Sequence, residues 1–487
     1  MDPELRARRA QRRVIISEAI MVLAVIATVA VLAFLVSGYW VNSDFKVERQ
    51  GLLQISSIPT GADVEIDGNP GGFFGRTNTS KVLSSGEHTI KLTKEGYDSW
   101  SRTIDISEGL LYRVHYPRLF LENRDRSSVF TATTATFATV SPSRAQMLIG
   151  NNTTSWTLLS LERDKLDPRT VNLPANFPST SRMSGDSAST AGIFTGEIQS
   201  LEWARDNEHL LLSLVDAGST KWVLMNVKDP TSTIDLTTTY NADFSTVKIA
   251  DHSASNLLVV KDGNLHRIDL SSRQISAVLA SDVNDFDYYD STVIFSAKFT
   301  DSTVFDSADA ESDVSHTSNG YYVGLMSLGD PKNTLVRSTS APALVAASKF
   351  YDDEYLTIVD GTSLSVLKKT DFSAFFEQQL DLSPAKLKVG KDGSFIVFTS
   401  HDHQIASLDM EAHNVTTWSP SGSNFGWLDG YMLYSVDDGS LHVYDFDGAN
   451  HRTLSSGVSA RFPVTISADK WLYYFKDGDL IREIIAK

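Results

Sequence analysis

The sequence predicts an all-β protein behind one N-terminal transmembrane helix: first a small β-sandwich, then a β-propeller of eight blades, with seven as the fallback should one unit be degenerate. Three observations carry this. An apolar run near the N-terminus is long enough to cross a bilayer. A cassette just after it is punctuated by Pro and Gly at turn spacing. From residue 128 on, one strand–turn–strand pattern keeps returning.

The bulk numbers frame the rest. At 487 residues the chain exceeds one ordinary core and implies two or three domains. It has no cysteine, which excludes disulfides, thiolate metal sites and Cys nucleophiles but leaves the redox compartment open. The net charge is −17, yet Arg6, Arg8, Arg9, Arg12 and Arg13 crowd the N-terminus, so the remainder is more acidic still. An acidic surface repels phosphate backbones, so nucleic acid is not an expected partner. Solubility outside the cell is the plainer reading of the charge.

The anchor is "VIISEAIMVLAVIATVAVLAFLVSGYW", residues 14–40. Between Ala19 and Val36 there is no charge and one polar residue, Thr28. That matches the roughly 20 residues a helix needs to cross hydrocarbon. Tyr39 and Trp40 close the far end as interfacial aromatics would. The arginines of the basic tail, residues 1–13, place it in the cytoplasm and everything after the helix outside. The expected localisation is therefore the cell membrane, single-pass, with lipid as one partner. A cleaved signal peptide is the competing reading, but the apolar core is too long and Val36-Ser37-Gly38 is a poor cleavage site. The tail is too short to fold.

Residues 51–117 read as a small β domain. "LLQISSI" and "DVEIDG" are expected to be two strands joined by the turn Pro59-Thr60-Gly61-Ala62. Val64 and Ile66 should face one side, Asp63, Glu65 and Asp67 the other. "EHTIKLTKEGYDSW" and "SRTIDIS" add two more strands. The punctuation Pro59-x-Gly61-Ala62, Val64-x-Ile66-Asp67-Gly68, Gly86-x-His88 and Lys94-x-Gly96-Tyr97 resembles a PEGA domain. Thr60 stands where the family has Glu, and Thr77-Asn78 where it has Thr-Pro. The resemblance implies a bacterial or archaeal surface module without catalytic residues, a stalk between the anchor and something larger.

Residues 127–487 are a repeat. The copies are "SWTLLSLE" (155–162), "KWVLMNVK" (221–228), "DGNLHRIDL" (262–270), "NGYYVGLMSL" (319–328), "DGTSLSVLKK" (360–369), "DHQIASLDM" (402–410), "DGSLHVYDF" (438–446) and "DGDLIREII" (477–485). Taking Trp156, Trp222, Leu265, Val323, Leu364, Ile405, Leu441 and Leu480 as equivalent, most spacings are about 36–43 residues, the period of four-stranded blades. Two longer gaps are explained by polar insertions, around 178–192 and 300–320. "DFSAFFEQQL" (371–380) is expected to form a short helical turn. The last unit supplies three strands, so residues 127–134 should give the fourth and close the ring, removing exposed sheet edges. Residues 118–127, "RLFLENRDRS", are the expected linker. "ISADKWLYYFKDGDL" and "YDFDGANHRTL" resemble hairpin and turn motifs of TolB-like propellers. That resemblance implies blades and docking on partners, not a ligand.

No constellation of catalytic residues stands out. Gly185-Asp186-Ser187-Ala188-Ser189 superficially resembles a protease nucleophile loop without its following glycines, and no G-x-S-x-G elbow occurs. His401-Asp402-His403 offers two imidazoles in an expected turn with no third ligand. Asp306, Asp309, Glu311 and Asp313 lack a Ca²⁺-loop pattern, and Asp445-Phe446-Asp447-Gly448 reads as a blade turn. Asn78, Asn152 and Asn414 head N-x-S/T triplets, meaningful only in a glycosylating host. No cofactor or metal is expected and no catalytic residue is assigned. The expected function is noncatalytic: binding an envelope protein, peptide or glycan, with the loops 178–198 and 300–320 as first contact candidates. Two alternatives stay open, a cell-wall polymer hydrolase or lyase at the propeller channel and an architectural subunit of a membrane complex.

Overall fold

The computed structural model describes residues 18, 20–30, 39–41, 47–71, 75–175, 177–178, 180–181, 193–216, 218–300, 305, 320–422 and 424–487. They form two compact units, residues 1–122 and 123–487. Residues 20–30 are helical and their apolar side chains, Leu23 and Ile26 among them, are exposed. Among the described residues no helix is long and apolar enough to cross a membrane. Most of the remaining 14–40 stretch lies outside the described residues. Its end is a correction: Tyr39 and Trp40 are not helical but belong to a strand, Tyr39–Val41, paired antiparallel with Val47–Ile55. Two aromatics and a β-branched residue suit a strand, and the Gly38 before them is a poor helix former.

The small unit holds two four-stranded sheets. One joins Tyr39–Val41, Val47–Ile55, Thr79–Ser84 and Leu111–Val114, the last running parallel to Val47–Ile55. The other joins Asn69–Pro70, Asp63–Ile66, Gly86–Thr93 and Trp100–Ile106. Leu53, Ile55, Val64, Ile90, Leu92 and Trp100 are buried. The two strands expected on either side of Pro59–Ala62 are present, Val47–Ile55 and Asp63–Ile66, but they lie in different sheets, and the segment between them crosses from one to the other. Thr77 fixes that crossing. Its buried hydroxyl accepts from Gly61 N (2.9 Å) and Ala62 N (3.1 Å) and pairs with Ser57 Oγ (2.8 Å).

The expected linker, 118–127, is corrected in its first four residues only, since the division between the two units falls inside it, after Glu122. Arg118, Leu119, Phe120 and Leu121 are buried in the small unit, with Phe120 N donating to Asp98 Oδ1 (2.7 Å). Four largely apolar or well-bonded residues in a row form the domain's last layer. Within the second unit, Ile484 N donates to Asp125 O, and a strand begins at Arg126.

The large unit contains eight four-stranded antiparallel sheets among its described residues, and its architecture is a β-propeller. Each of the eight sequence copies is the third strand of its sheet, for instance Ser155–Ser160, Asn264–Asp269 and Ser440–Asp445. All eight equivalent apolar residues are buried. Asp-Gly sets several hairpins: Asp262/Gly263, Asp438/Gly439 and Asp477/Gly478 all have positive φ, as the two central residues of a type I′ turn require. Apolar clusters run between successive sheets, such as Leu148 and Trp156 with Leu210 and Met225, or Leu364 and Val366 with Ile396 and Phe398. Another joins Tyr473 and Phe475 of the last sheet to Met147 and Leu159 of the first. Arg126–Thr131 pairs with the C-terminal strand Asp479–Ile484, the closing strand the sequence called for.

The helical turn expected at 371–380 is instead the outer strand Ala374–Gln379, paired with Ser363–Lys368. Tertiary pairing overrides a short local pattern there. A five-residue helix, Leu236–Tyr240, does occur, capped by Asp235, whose carboxylate accepts from Thr238 N (2.9 Å).

Candidate functional site

The first strand of each sheet has one edge with no partner in its own sheet. Such an edge presents N–H and C=O groups that need partners. In this chain several inner strands satisfy the edge of the next one with charged side chains. Glu202 Oε1, from Glu197–Trp203, accepts from Ile249 N (3.3 Å) of Thr246–Ile249. Asp285 Oδ2 accepts from Val345 N (3.0 Å), and Asp287 Oδ2 from Ala347 N (3.2 Å), both on Leu344–Phe350. Lys248 Nζ donates to Phe286 O, lies 3.7 Å from Asp287 Oδ1, and sits over the Phe286 ring.

Lys248, Asp285 and Asp287 line a cavity of about 810 Å³ together with Arg205, Tyr289, Lys349, Lys386, Lys388 and Asp392. Burial pushes the Glu202 carboxyl up to about 7, helped by the nearby Asp287 and opposed by the Ile249 N–H and Lys248. Burial likewise raises Asp285 and Asp287, against the N–H bonds and Lys248 that favour their charged forms. Lys388 is held below the ordinary lysine range by loss of bulk solvent and by the neighbouring Lys386. Its side chain is reached by water yet has protein around it, as befits a channel wall. A second cavity, of about 300 Å³, is lined by Thr139, Arg144, Trp427, Tyr434 and Thr465 from the first, seventh and eighth sheets.

The sequence-stated candidates fall elsewhere. Gly185–Ser189 and Asp306, Asp309, Glu311 and Asp313 lie outside the described residues. So do residues 179 and 182–192 of the first contact loop and 301–304 and 306–319 of the second, but the bases of both are described. Phe177 and Phe194 are buried against Trp156, with ring centroids 5.7 and 5.6 Å away. Phe299 and Phe305 pack on Tyr322 at 4.7 and 5.1 Å. Each insertion thus leaves the propeller from an aromatic staple. His401 and His403 are exposed in a turn where Ser400 Oγ donates to Asp402 Oδ1 (2.5 Å). Asp445 is buried at a blade turn, its Oδ2 accepting from Asn450 Nδ2 (2.8 Å). Among the described residues no group of three or more His, Asp or Glu could hold a metal. Sequence reading missed the channel residues. Their signal was a charge at alternate positions of a unit's first strand, as in Asp285-x-Asp287 and Lys386-x-Lys388.

Residues 50–118 match the PEGA domain family. No curated protein matches the chain. Among solved structures, it is similar to the C-terminal WD40 domain of Sif2, at 10% identity and a TM-score of 0.47, covering 74% of this chain and 98% of that one. It is also similar to an oligogalacturonate lyase in complex with manganese, at 15% identity and a TM-score of 0.38, covering 58% and 88%. A third is the β-propeller domain of Myceliophteria thermophila Cps50 (Swd1), at 11% identity and a TM-score of 0.37, covering 75% and 99%. At these values the likenesses say nothing of ligand or activity.

Proposed function

We propose that this chain is a single-pass membrane-anchored surface protein that presents an eight-bladed propeller outside the cell to bind an envelope protein, peptide or glycan, with the PEGA domain as its stalk. One observation supports binding over chemistry. Asp285 and Asp287, which line the large cavity, accept from backbone N–H groups of the next inner strand, which commits them to joining blades. What remains is a rigid, preformed recess about the size of a small-ligand pocket. The test is retention. The detergent-solubilised full chain is used as bait on envelope extract, beside a variant with residues 178–192 and 300–318 shortened. Capture by the first alone supports the insertions as the contact surface. Equal capture keeps the binding role and moves the contact to the channel. No capture by either removes the binding reading.

A hydrolase or lyase is the second reading, and Glu202 favours it. A carboxyl titrating near 7 can serve as a general acid or base. Shortening of a cell-wall polymer by the native chain, abolished in Glu202→Gln, would establish it.

A further inference from the structure

We propose that the large cavity holds a site for an anionic group, a carboxylate or phosphate carried by the ligand, gripped by Lys386 and Lys388 with Arg205 lining the same space; this rests on the binding reading above. Lys386 and Lys388 stand two residues apart on the strand Pro384–Val389, so they project from one face about 7 Å apart. Neither has an ion-pair or hydrogen-bond partner among the described residues. Other basic side chains of the propeller do: Lys228 pairs with Glu208, Arg337 with Glu377 and Lys369 with Glu354. Arg205 stacks on the Tyr289 ring at 5.2 Å and likewise has no carboxylate partner among the described residues.

Two like charges held together in a recess repel each other, and no fold requirement places them there. Lys248 differs, since it caps the Phe286 carbonyl. No acid of the recess pairs directly with either lysine among the described residues. Asp285 and Asp287 hold Val345 N and Ala347 N, and Asp392 accepts from Ser394 Oγ (2.6 Å) and Tyr431 OH (2.7 Å). Loss of bulk solvent lowers the affinity of Lys388 for its proton, and Lys386 beside it lowers it further by the same repulsion. An anion between the two ammonium groups would relieve it and gain charge-assisted hydrogen bonds. A cationic recess in a chain of net charge −17 also selects: an anion repelled by the general surface is held only there.

The experiment measures thermal unfolding of the full chain in detergent. Inorganic phosphate or glucuronate is titrated against sodium chloride at constant ionic strength, because a ligand bound to the folded state raises its melting temperature. The native chain should show a saturable rise with at least one probe. A response to phosphate alone assigns a phosphate ester, and one to glucuronate alone assigns a uronate. Lys386→Gln and Lys388→Gln should each weaken apparent affinity about tenfold, and the double variant should lose the response. In chloride the double variant should melt no lower than the native chain, since it removes only repulsion. Absence of a saturable rise with either probe, or an equal rise in the double variant, overturns the site. Retention of an envelope partner by the double variant as strong as by the native chain would also remove the site while leaving the binding reading standing.

Discussion

Arg124 and Glu483 clasp the closed ring, and removing Arg124 should open it. Glu483 has a fully buried side chain, and Arg124 Nε lies 2.5 Å from its Oε1. Arg124 Nη2 also donates to Leu454 O (2.9 Å). Tyr474 OH donates to Glu483 Oε2 (2.9 Å) and accepts from Ser455 Oγ (2.9 Å). Arg124→Ala therefore deletes at least these two hydrogen bonds and leaves a buried carboxylate without the guanidinium that pairs with it. Breaking a buried pair from one side costs about 3–5 kcal/mol. Glu483 sits on the strand that pairs with Arg126–Thr131, so the loss should appear as local opening of the last sheet. Native-state hydrogen exchange of the full chain reads it. Amides of Arg126–Thr131 and Asp479–Ile484 should lose protection by about two to three orders of magnitude. The strands Thr292–Lys298 and Tyr321–Ser327 of the fourth sheet should change little. Arg124→Met with Glu483→Leu should recover most of the loss, because an apolar pair of similar volume avoids the desolvation penalty. A change below about 1 kcal/mol for Arg124→Ala, the size of a surface ion pair, would refute the clasp.

Other expectations are independent of that one. Burial works against a charged His88, but hydrogen bonds to Asp67 Oδ2 (2.6 Å) and Ser84 O (2.9 Å) outweigh it and raise its pKa above 6.5. The stability this adds to the small unit is complete below 6.5 and is lost as pH rises through the folded value; Asp67→Asn should flatten that dependence in a pH series of melting curves. Glu202 acts in the same sense: the folded state holds a proton up to about 7 that the unfolded chain releases near 4.5, so propeller stability should fall as pH rises across that window. Glu202→Gln keeps an acceptor for Ile249 N and should remove the slope. A Cβ on Gly150 would lie 1.9 Å from the Phe137 ring, and one on Gly324 2.3 Å from Phe295. Gly150→Ala and Gly324→Ala should each cost about 1–3 kcal/mol by overpacking, seen as a lower denaturant midpoint.

The third strand of most sheets was legible because it follows an Asp-Gly or similar turn and carries large apolar residues that are buried, several of them at alternate positions. Trp156, Leu364 and Leu480 mark it. The closing strand was legible from arithmetic: three strands at the C-terminus demand a fourth. Inner strands were not. Glu202, Lys248, Asp285 and Asp287 look like surface residues in sequence, yet their role is to satisfy the edge of a strand about 40–60 positions away, and no local pattern encodes that partner. The same holds for Thr77, whose hydroxyl organises the Pro59–Ala62 segment from about fifteen positions away. Phe375 and Phe376 suggested a helical turn because aromatics at adjacent positions fit either period; pairing with Ser363–Lys368 decided it. Arg118–Leu121 read as linker because charged residues follow it, although its own residues are core.

A propeller offers a way to separate architecture from site. Its sheets repeat, so a feature that recurs from sheet to sheet answers a need every sheet shares. Carboxylates that cap the next inner strand recur at Glu202, Asp285 and Asp287, and glycines beneath aromatic rings recur at Gly150 and Gly324. Neighbouring blades need joining, and close cross-strand rings need room, so these features call for no ligand. The Lys386–Lys388 pair answers no such need. It caps no backbone group and pairs with no acid among the described residues, and it confronts a wall built differently from the recess of Thr139, Trp427 and Tyr434. Near-symmetry in the backbone makes asymmetry in the side chains informative. A structural role for the lysine pair would need a partner such as the carboxylates and carbonyls that Glu202, Lys248, Asp285 and Asp287 engage between strands, and among the described residues neither lysine has one.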